Sequence, residues 1–148
     1  MVRLNKIRLL SWQQRRVVLY AFCLINTIRL SLWLFPFGVV RRQLRTFLPN
    51  YKSDCSITGV ISVLFIVQAV AIAANYSLGH PKCLARALTA QILLNQYGYS
   101  HNLHIGIAKN EARELEAHAW IEYRGQVIVG MLSNLDQFKT LAVRGVEL

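Results

Sequence analysis

Residues 81–98 constrain the fold of this chain most strongly, because they combine a helix start, an apolar helical face and a helix stop. Pro81 fits the beginning of a helix, where its missing N–H leaves no hydrogen bond unmade. Gly98 fits the left-handed position that follows a last helical turn. Between them, apolar side chains recur with helical spacing. The segment therefore predicts one helix with Cys83 in its first turn.

A thiol in the first turn of a helix is well placed to act as a nucleophile. The N–H groups of that turn have no intrahelical partner, and the positive end of the helix dipole favours the thiolate form. Lys82 and Arg86 add positive charge beside Cys83. A cysteine is more often a small packed hydrophobe, so the catalytic interpretation also requires a base within reach.

The predicted base is His118, in a segment that alternates with the period of a strand. In residues 116–123, the side chains of His118, Trp120 and Glu122 share one face of this strand. His118 lies 35 residues after Cys83, with room for one strand between the helix and the His118 strand. The order of elements allows a thiol from a helix end to meet an imidazole from a sheet.

Two further strands are predicted around the His118 strand. Residues 103–108 alternate in the same way, and residues 126–130 follow a tight turn at Arg124 and Gly125. The predicted fold class is therefore α+β: N-terminal helices precede a core in which the Cys83 helix packs on a small antiparallel sheet.

Several short motifs, taken in chain order, resemble those of the lasso-peptide leader peptidases. These are stand-alone proteins with a papain-like, transglutaminase-like cysteine peptidase core, and they form the protease half of a split biosynthesis protein. The resemblance covers about residues 68–130 and is carried by these motifs: Cys83-Leu84-x-Arg86-Ala87-Leu88, Gly98, His104-Ile105-Gly106-Ile107, Ala117-His118-Ala119-Trp120-Ile121-Glu122 and Gly125.

The resemblance implies a cysteine peptidase that cuts a ribosomally made precursor peptide between its leader and its core. Cys83 would attack the peptide carbonyl, and His118 would carry the proton. The implied partners are the precursor peptide, a separate leader-binding protein and an asparagine-synthetase-like lasso cyclase. Two alternatives stay open: acyl transfer by the same core, as in transglutaminases, and a basic membrane-associated binding protein in which Cys83 is only packed.

The third catalytic residue is where the sequence departs from the transglutaminase-like pattern. Such cores take an Asp from the strand after the His strand, but Gly130 and Met131, opposite His118, have no polar side chain. Asp136, just beyond that strand, is the predicted third member. Asn134 is an alternative, as is a backbone carbonyl or a water molecule near Gly130. Glu122, on the His118 face but about 7 Å along the strand, is expected to point past the imidazole.

Positive charge is concentrated in the first third of the chain. Residues 1–54 hold ten Lys or Arg and one acid, a net charge of +9, whereas residues 55–148 hold seven Lys or Arg and six acids, a net charge of +1. We predict a basic helical region at 1–54 and a peptidase core at 55–148 that together form one compact unit. The basic region would attract anionic lipid or an acidic partner. No nucleic-acid-reading motif is present, so nucleic acid is not expected as a partner.

Three further helices are predicted before residue 81. The first runs from a Ser11 capping box to Phe35, and a core or interfacial helix is favoured over a membrane span because Arg29 interrupts the apolar run. The second covers residues 38–48. The third covers residues 57–76, with Ser56 or Thr58 near its cap; it is uncharged and could pass for a membrane span, but a covered central helix is favoured.

The remaining sequence features indicate the cellular compartment and whether a cofactor or metal is expected. The three cysteines, Cys23, Cys55 and Cys83, form no disulfide framework, which fits a reducing cytoplasm. No phosphate-binding loop or metal-ligand motif occurs, so neither a cofactor nor a metal is expected. A cytoplasmic protein is predicted, and contact with a membrane surface stays open.

Overall fold

The structure, a computed structural model, describes residues 10–47, 61–77, 79, 82–109 and 114–140. Within these residues, four α-helices are followed by four strands and one 3-10 turn. In chain order they are α1 (Trp12–Leu34), α2 (Phe37–Phe47), α3 (Val63–Tyr76), α4 (Cys83–Gln96), β1 (Asn102–Lys109), β2 (Leu115–Tyr123), β3 (Gln126–Val129), the 3-10 turn Leu135–Gln137 and β4 (Lys139–Thr140). The predicted α+β class, with N-terminal helices before a small antiparallel sheet, is confirmed.

Local sequence signals account for the first helix. The Ser11 hydroxyl accepts a hydrogen bond from the Gln14 N–H, and the Gln14 side chain accepts one from the Ser11 N–H, which forms the predicted capping box. The helix ends at Leu34, shortly before Pro36, because the residue preceding a proline is held in an extended conformation. α2 then begins at Phe37, one residue earlier than predicted.

The predicted start of the third helix was wrong. α3 begins at Val63 rather than Ile57, because the Ser62 hydroxyl caps it by accepting from the Phe65 N–H at 3.2 Å. The carbonyl of Ile61 accepts a hydrogen bond from the Tyr99 hydroxyl at 2.7 Å, so this residue is tied to another part of the chain. The caps predicted at Ser56 and Thr58 lie outside the described residues.

One hydrophobic core joins the first helix to the rest of the domain. α1, α3 and α4 pack against one another, and α4 also packs on β2. α1 contributes Val17, Ala21, Ile25 and Ile28 to the same cluster as the buried side chains of α4 and the sheet. Both regions on either side of residue 54 therefore bury apolar surface together.

The sheet has the strand order β3-β2-β1-β4, and the described pairs are antiparallel. β2 and β3 are joined by the predicted turn, where Arg124 and Gly125 both have positive φ, 51° and 77°, as a two-residue hairpin turn of this hand requires. β4 pairs with β1 and was not predicted, because two residues give no measurable alternation. Gly106 of β1 lies directly opposite His118 of β2.

The two faces of β2 have different surroundings. Ala119 and Ile121 are buried in the main core, on the side where α4 packs. Trp120 lies on the opposite face and forms a second, smaller cluster with Ala108 and Phe138. His118 shares the Trp120 face by strand alternation, so the predicted assignment of these residues to one face agrees with the packing.

Candidate active site

The thiol of Cys83 lies at the first residue of α4, as the sequence predicts. The preceding residue, Lys82, is extended at φ −60° and ψ 157° and forms no side-chain cap. Cys83 is a free, half-buried cysteine. Its S–H group is therefore at the positive end of a 14-residue helix whose first N–H groups the Lys82 side chain does not cap.

The Cys83 thiol is in contact with the strand that carries His118. Its Sγ lies 3.9 Å from the carbonyl oxygen of Ala117, to which the S–H donates a weak hydrogen bond. Ala117 immediately precedes His118, so the Cys83 thiol lies against the backbone of the strand that carries His118. The start of α4 therefore contacts the sheet at the residue before His118, and the pairing of the two side chains stays a prediction.

The end of β3 explains why this position on β2 is accessible to the thiol. β3 pairs only with residues 121–123 of β2 and then leaves the sheet at Gly130. The carbonyl of Ala119 faces Gly130, and that of Ala117, two residues away, faces the same side. Cys83 therefore contacts an edge of β2 that a longer β3 would have covered.

The imidazole of His118 is held by a backbone carbonyl. Its Nε2–H donates to the oxygen of Gly130 at 2.7 Å. A proton fixed on Nε2 leaves Nδ1 as the basic nitrogen of the neutral ring. The arrangement thus selects the tautomer that accepts a proton at Nδ1.

Glycine is required at position 130 for two reasons. Its φ is +81°, a conformation that L side chains rarely adopt. A Cβ atom there would lie 2.6 Å from the Ala119 oxygen and 3.1 Å from the Trp120 Cα. Only glycine lets the chain come close enough to β2 for its carbonyl to reach His118.

An aromatic wall fixes the plane of the His118 ring. The ring stacks on Trp120 at a centroid distance of 6.2 Å and an angle of 17°, and it packs against Phe138 at 5.6 Å. A Cβ on Gly106 would come within 2.9 Å of both Trp120 and Phe138. The missing side chain of Gly106 therefore makes the space that these two rings fill.

The wall continues to a second histidine. His104, which lies opposite Trp120 on β1, stacks on the Trp120 ring with centroids 5.4 Å apart at 21°. Its Nε2 is shielded from solvent and lies 3.4 Å from Glu122 Oε2, which is an ion-pair distance when His104 is protonated, although no hydrogen-bond geometry is met. Glu122 thus faces His104 rather than His118.

The residues predicted for the third position lie beyond β3. Asp136 is exposed in the 3-10 turn, and Asn134, also exposed, directly precedes that turn. In the structure the partner of His118 Nε2 is the Gly130 carbonyl, which was among the open alternatives. Asp136 as the third catalytic member stays a prediction that this geometry does not support.

Two contributors to the site were not foreseen from the sequence. Phe138 was missed because it precedes β4, which is too short to be recognised. Gly106 was recognised as part of a strand and of a family motif but not for its packing role, although a glycine inside a strand often marks a close approach of another group. Among the described residues, no group of three or more metal-ligating side chains comes together.

The match to a family model agrees with this geometry. The model of the transglutaminase-like superfamily matches residues 27–143, which include Cys83, His118 and Gly130. The chain belongs to the transglutaminase-like superfamily. This superfamily includes cysteine peptidases and acyltransferases, and its catalysis is often cysteine-dependent.

The match begins inside α1, so the family domain crosses residue 54, where the sequence suggested a division. Neither a curated protein nor a solved structure matched the chain significantly.

Proposed function

We propose that this protein is a cysteine peptidase that removes the leader from a ribosomally made lasso-peptide precursor. The observation that carries the proposal is the Cys83 thiol at an uncapped helix start, in contact with the strand of His118. The motifs around Cys83 and His118 resemble those of lasso-peptide leader peptidases. Membership of the transglutaminase-like superfamily is compatible with this chemistry.

The first half of the reaction forms a thioester. Nδ1 of His118 accepts the thiol proton, and the Cys83 sulfur attacks the scissile carbonyl carbon. The resulting oxyanion is stabilised by N–H groups of the first turn of α4. When the C–N bond breaks, the imidazolium returns its proton to the leaving amine, and the leader remains on Cys83 as a thioester.

The second half decides between a peptidase and an acyltransferase. Water, deprotonated by His118, attacks the thioester, releases the leader as a free acid and restores the Cys83 thiol. An amine in place of water would give an amide product instead. Both reactions use the same Cys83 and His118, so product analysis is required to separate them.

The proposal assigns delivery of the substrate to other proteins. A separate leader-binding protein would present the precursor, and an asparagine-synthetase-like cyclase would close the ring after cleavage. The positive charges of Lys82 and Arg86, both exposed beside Cys83, would favour substrate segments that carry acidic residues.

The decisive experiment incubates the protein with a candidate precursor and its leader-binding protein in heavy-oxygen water. Hydrolysis gives a leader with one heavy oxygen in its new carboxylate, whereas acyl transfer to an added amine gives a leader amide without it. Cys83→Ala should give neither product. Cleavage by Cys83→Ala at the wild-type rate would contradict the proposed nucleophile, and a precursor left intact by the wild-type protein would contradict the proposed function.

A second experiment tests for the alternative of a non-catalytic binding protein. If Cys83 is the nucleophile, it should react with iodoacetamide at about pH 6 much faster than Cys23, which is exposed on α1 and does not lie at a helix start. Equal sluggishness of both cysteines would favour the interpretation of Cys83 as a packed residue.

A further inference from the structure

The outer face of α1 exposes large apolar side chains toward both of its ends. Trp12 is 71% exposed and Trp33 is 81% exposed, at opposite ends of the helix. Along a regular helix, the exposed apolar side chains fall on one side, over a length of about 33 Å. We define the α1 stripe by these exposed residues: Trp12, Leu19, Tyr20, Leu30, Trp33 and Leu34.

The opposite face of α1 is held in the protein. It buries Val17, Ala21, Ile25 and Ile28, and α1 packs against α3 and α4. By length and composition, α1 is the one described helix that could cross a membrane, yet only 22% of its most apolar window is buried in the protein. A helix fixed along one side by a core that carries a sheet lies on a surface rather than through it.

The charge of this region favours an anionic surface. Residues 1–54 carry a net charge of +9, and Arg15, Arg16 and Arg42 are exposed. The guanidinium of Arg16 lies 5.1 Å from the centre of the Trp12 ring, so a cation and an interfacial aromatic residue are presented together. A second copy of the chain would bring two such positive regions together, which is electrostatically unfavourable.

We propose that α1 lies in the plane of an anionic lipid bilayer, with the α1 stripe inserted at the boundary between headgroups and acyl chains. Tryptophan residues at both ends of the stripe have the amphipathic rings that accumulate at this boundary. The Arg16 guanidinium beside Trp12 pairs with an anionic headgroup, while the opposite face of α1 stays packed on α3 and α4. The proposal uses none of the catalytic residues.

The experiment is flotation of the full-length protein with phosphatidylcholine vesicles, with and without an equal part of phosphatidylglycerol. The wild-type protein should float with the anionic vesicles. The double variant Trp12→Gln and Trp33→Gln should bind at least about tenfold more weakly, since two aromatic side chains lose their apolar insertion. Leu115→Gln is the matched control, because Leu115 is 72% exposed on β2, outside the stripe, and should change binding less than twofold.

The electrostatic contribution to vesicle binding is tested with a matched pair of arginine variants. Arg16 stacks on Trp12, and Arg124 stacks on Tyr123 at a similar distance, 5.2 Å. Arg16→Gln should weaken binding to anionic vesicles severalfold, with a loss that shrinks at high salt, whereas Arg124→Gln should not. Circular dichroism checks that each variant is folded.

Three results would overturn the proposal. The first is absence of the wild-type protein from floated anionic vesicles. The second is equal binding by the wild type and the double tryptophan variant. The third is a wild-type dimer that the tryptophan variant converts to a monomer, because a second copy would then cover the stripe.

Discussion

The helices α1 and α3 begin with a serine side chain that caps the first turn, whereas α4, the helix of Cys83, begins without a side-chain cap. We call the first two starts closed and the start of α4 open. Ser11, Ser62 and Lys82 precede α1, α3 and α4 with nearly the same backbone conformation, at ψ values of 161°, 154° and 157°. The two serines accept a hydrogen bond from the first turn, and Lys82 forms no such cap. The backbone geometry is thus shared, and only the side chain differs.

The comparison shows what the open start costs and what it provides. A serine cap contributes about 1 kcal/mol to helix stability, which α4 forgoes at its first turn. In return, the first N–H groups of α4 keep their positive potential beside the Cys83 sulfur.

At the C-terminal end of α4, hydrogen bonds satisfy the last carbonyl groups, so this end is closed. The N–H of Gly98 donates to the carbonyl of Asn95, and the N–H of Tyr99 donates to the carbonyl of Leu94. The Tyr99 hydroxyl also donates to the carbonyl of Ile61. The helix is therefore fixed at the end away from Cys83, and its open end is not a consequence of a weakly held helix.

The largest effect is expected from removing either member of the proposed pair. Cys83→Ala and His118→Ala should each lower precursor cleavage by at least about a thousandfold, with little change in the free energy of unfolding because neither side chain is fully buried. Mass spectrometry measures cleavage, and urea titration measures stability. Cys23→Ala is the control and should retain activity; turnover by His118→Ala near the wild-type rate would refute the mechanism.

The second prediction tests the carbonyl that holds His118. Gly130→Ala should lower cleavage by about a hundredfold, because the added Cβ would meet the Ala119 oxygen and shift the carbonyl away from Nε2. Gly125→Ala is a matched control: its φ is +77°, as strained as position 130 at +81°, but nothing lies within 4 Å of its Cβ.

Backbone strain should cost each glycine variant about 1–2 kcal/mol of stability. The contact with the Ala119 oxygen should cost Gly130→Ala a further loss of stability, and only this variant should also lose activity. If the two variants cleave the precursor at the same rate, the Gly130 carbonyl does not position His118.

The third prediction adds a cap to α4 and removes the cap from α3. Lys82→Asp should stabilise the fold, because its carboxylate accepts hydrogen bonds from the first N–H groups of α4. It should also lower cleavage by about tenfold, because the same negative charge disfavours a thiolate at Cys83. Ser62→Ala should do the reverse: lose about 1 kcal/mol of stability and keep its activity. Paired unfolding and cleavage assays measure both quantities, and a Lys82→Asp variant that gains stability without losing activity would show that the open start has no catalytic role.

A smaller effect is expected at Asp136. Because Nε2 of His118 already donates to Gly130, Asp136→Ala should change turnover by less than about threefold. A third member of a catalytic triad that acts through a side chain typically costs about a hundredfold or more when it is removed. A loss of that size, with normal stability, would restore the sequence-based assignment of Asp136.

The smallest effect concerns the closed end of α4. Burial lowers the pKa of His101, and the hydrogen bond from its Nδ1 to the Tyr99 carbonyl opposes this shift only in part. Since the folded pKa is below the unfolded value, His101 contributes stability above about pH 6.5 that is lost as the pH falls through its folded pKa. His101→Gln should flatten the pH dependence of the urea midpoint between about pH 7 and pH 5; an unchanged slope would show that His101 does not contribute to it.

Local signals in the sequence determined much of the architecture. The capping box at Ser11 and the boundary at Gly98 act within one or two helical turns, so they specify the start of α1 and the end of α4 without reference to the rest of the chain. Pro81, the predicted start signal of α4, lies outside the described residues. The alternation around His118 likewise determined which side chains share its face. These signals placed Cys83 at a helix start and His118 on a sheet.

Tertiary structure decided the features that depend on distant parts of the chain. The start of α3 follows from Ser62 and from the Ile61 carbonyl, whose partner Tyr99 is 38 residues away. The hydrogen-bond partner of His118 is the backbone carbonyl of Gly130. Because every residue has a backbone carbonyl, the residue types in the sequence do not identify which one accepts this hydrogen bond. Only the close approach of Gly130 to β2, which a Cβ atom would prevent, selects that one carbonyl among all others.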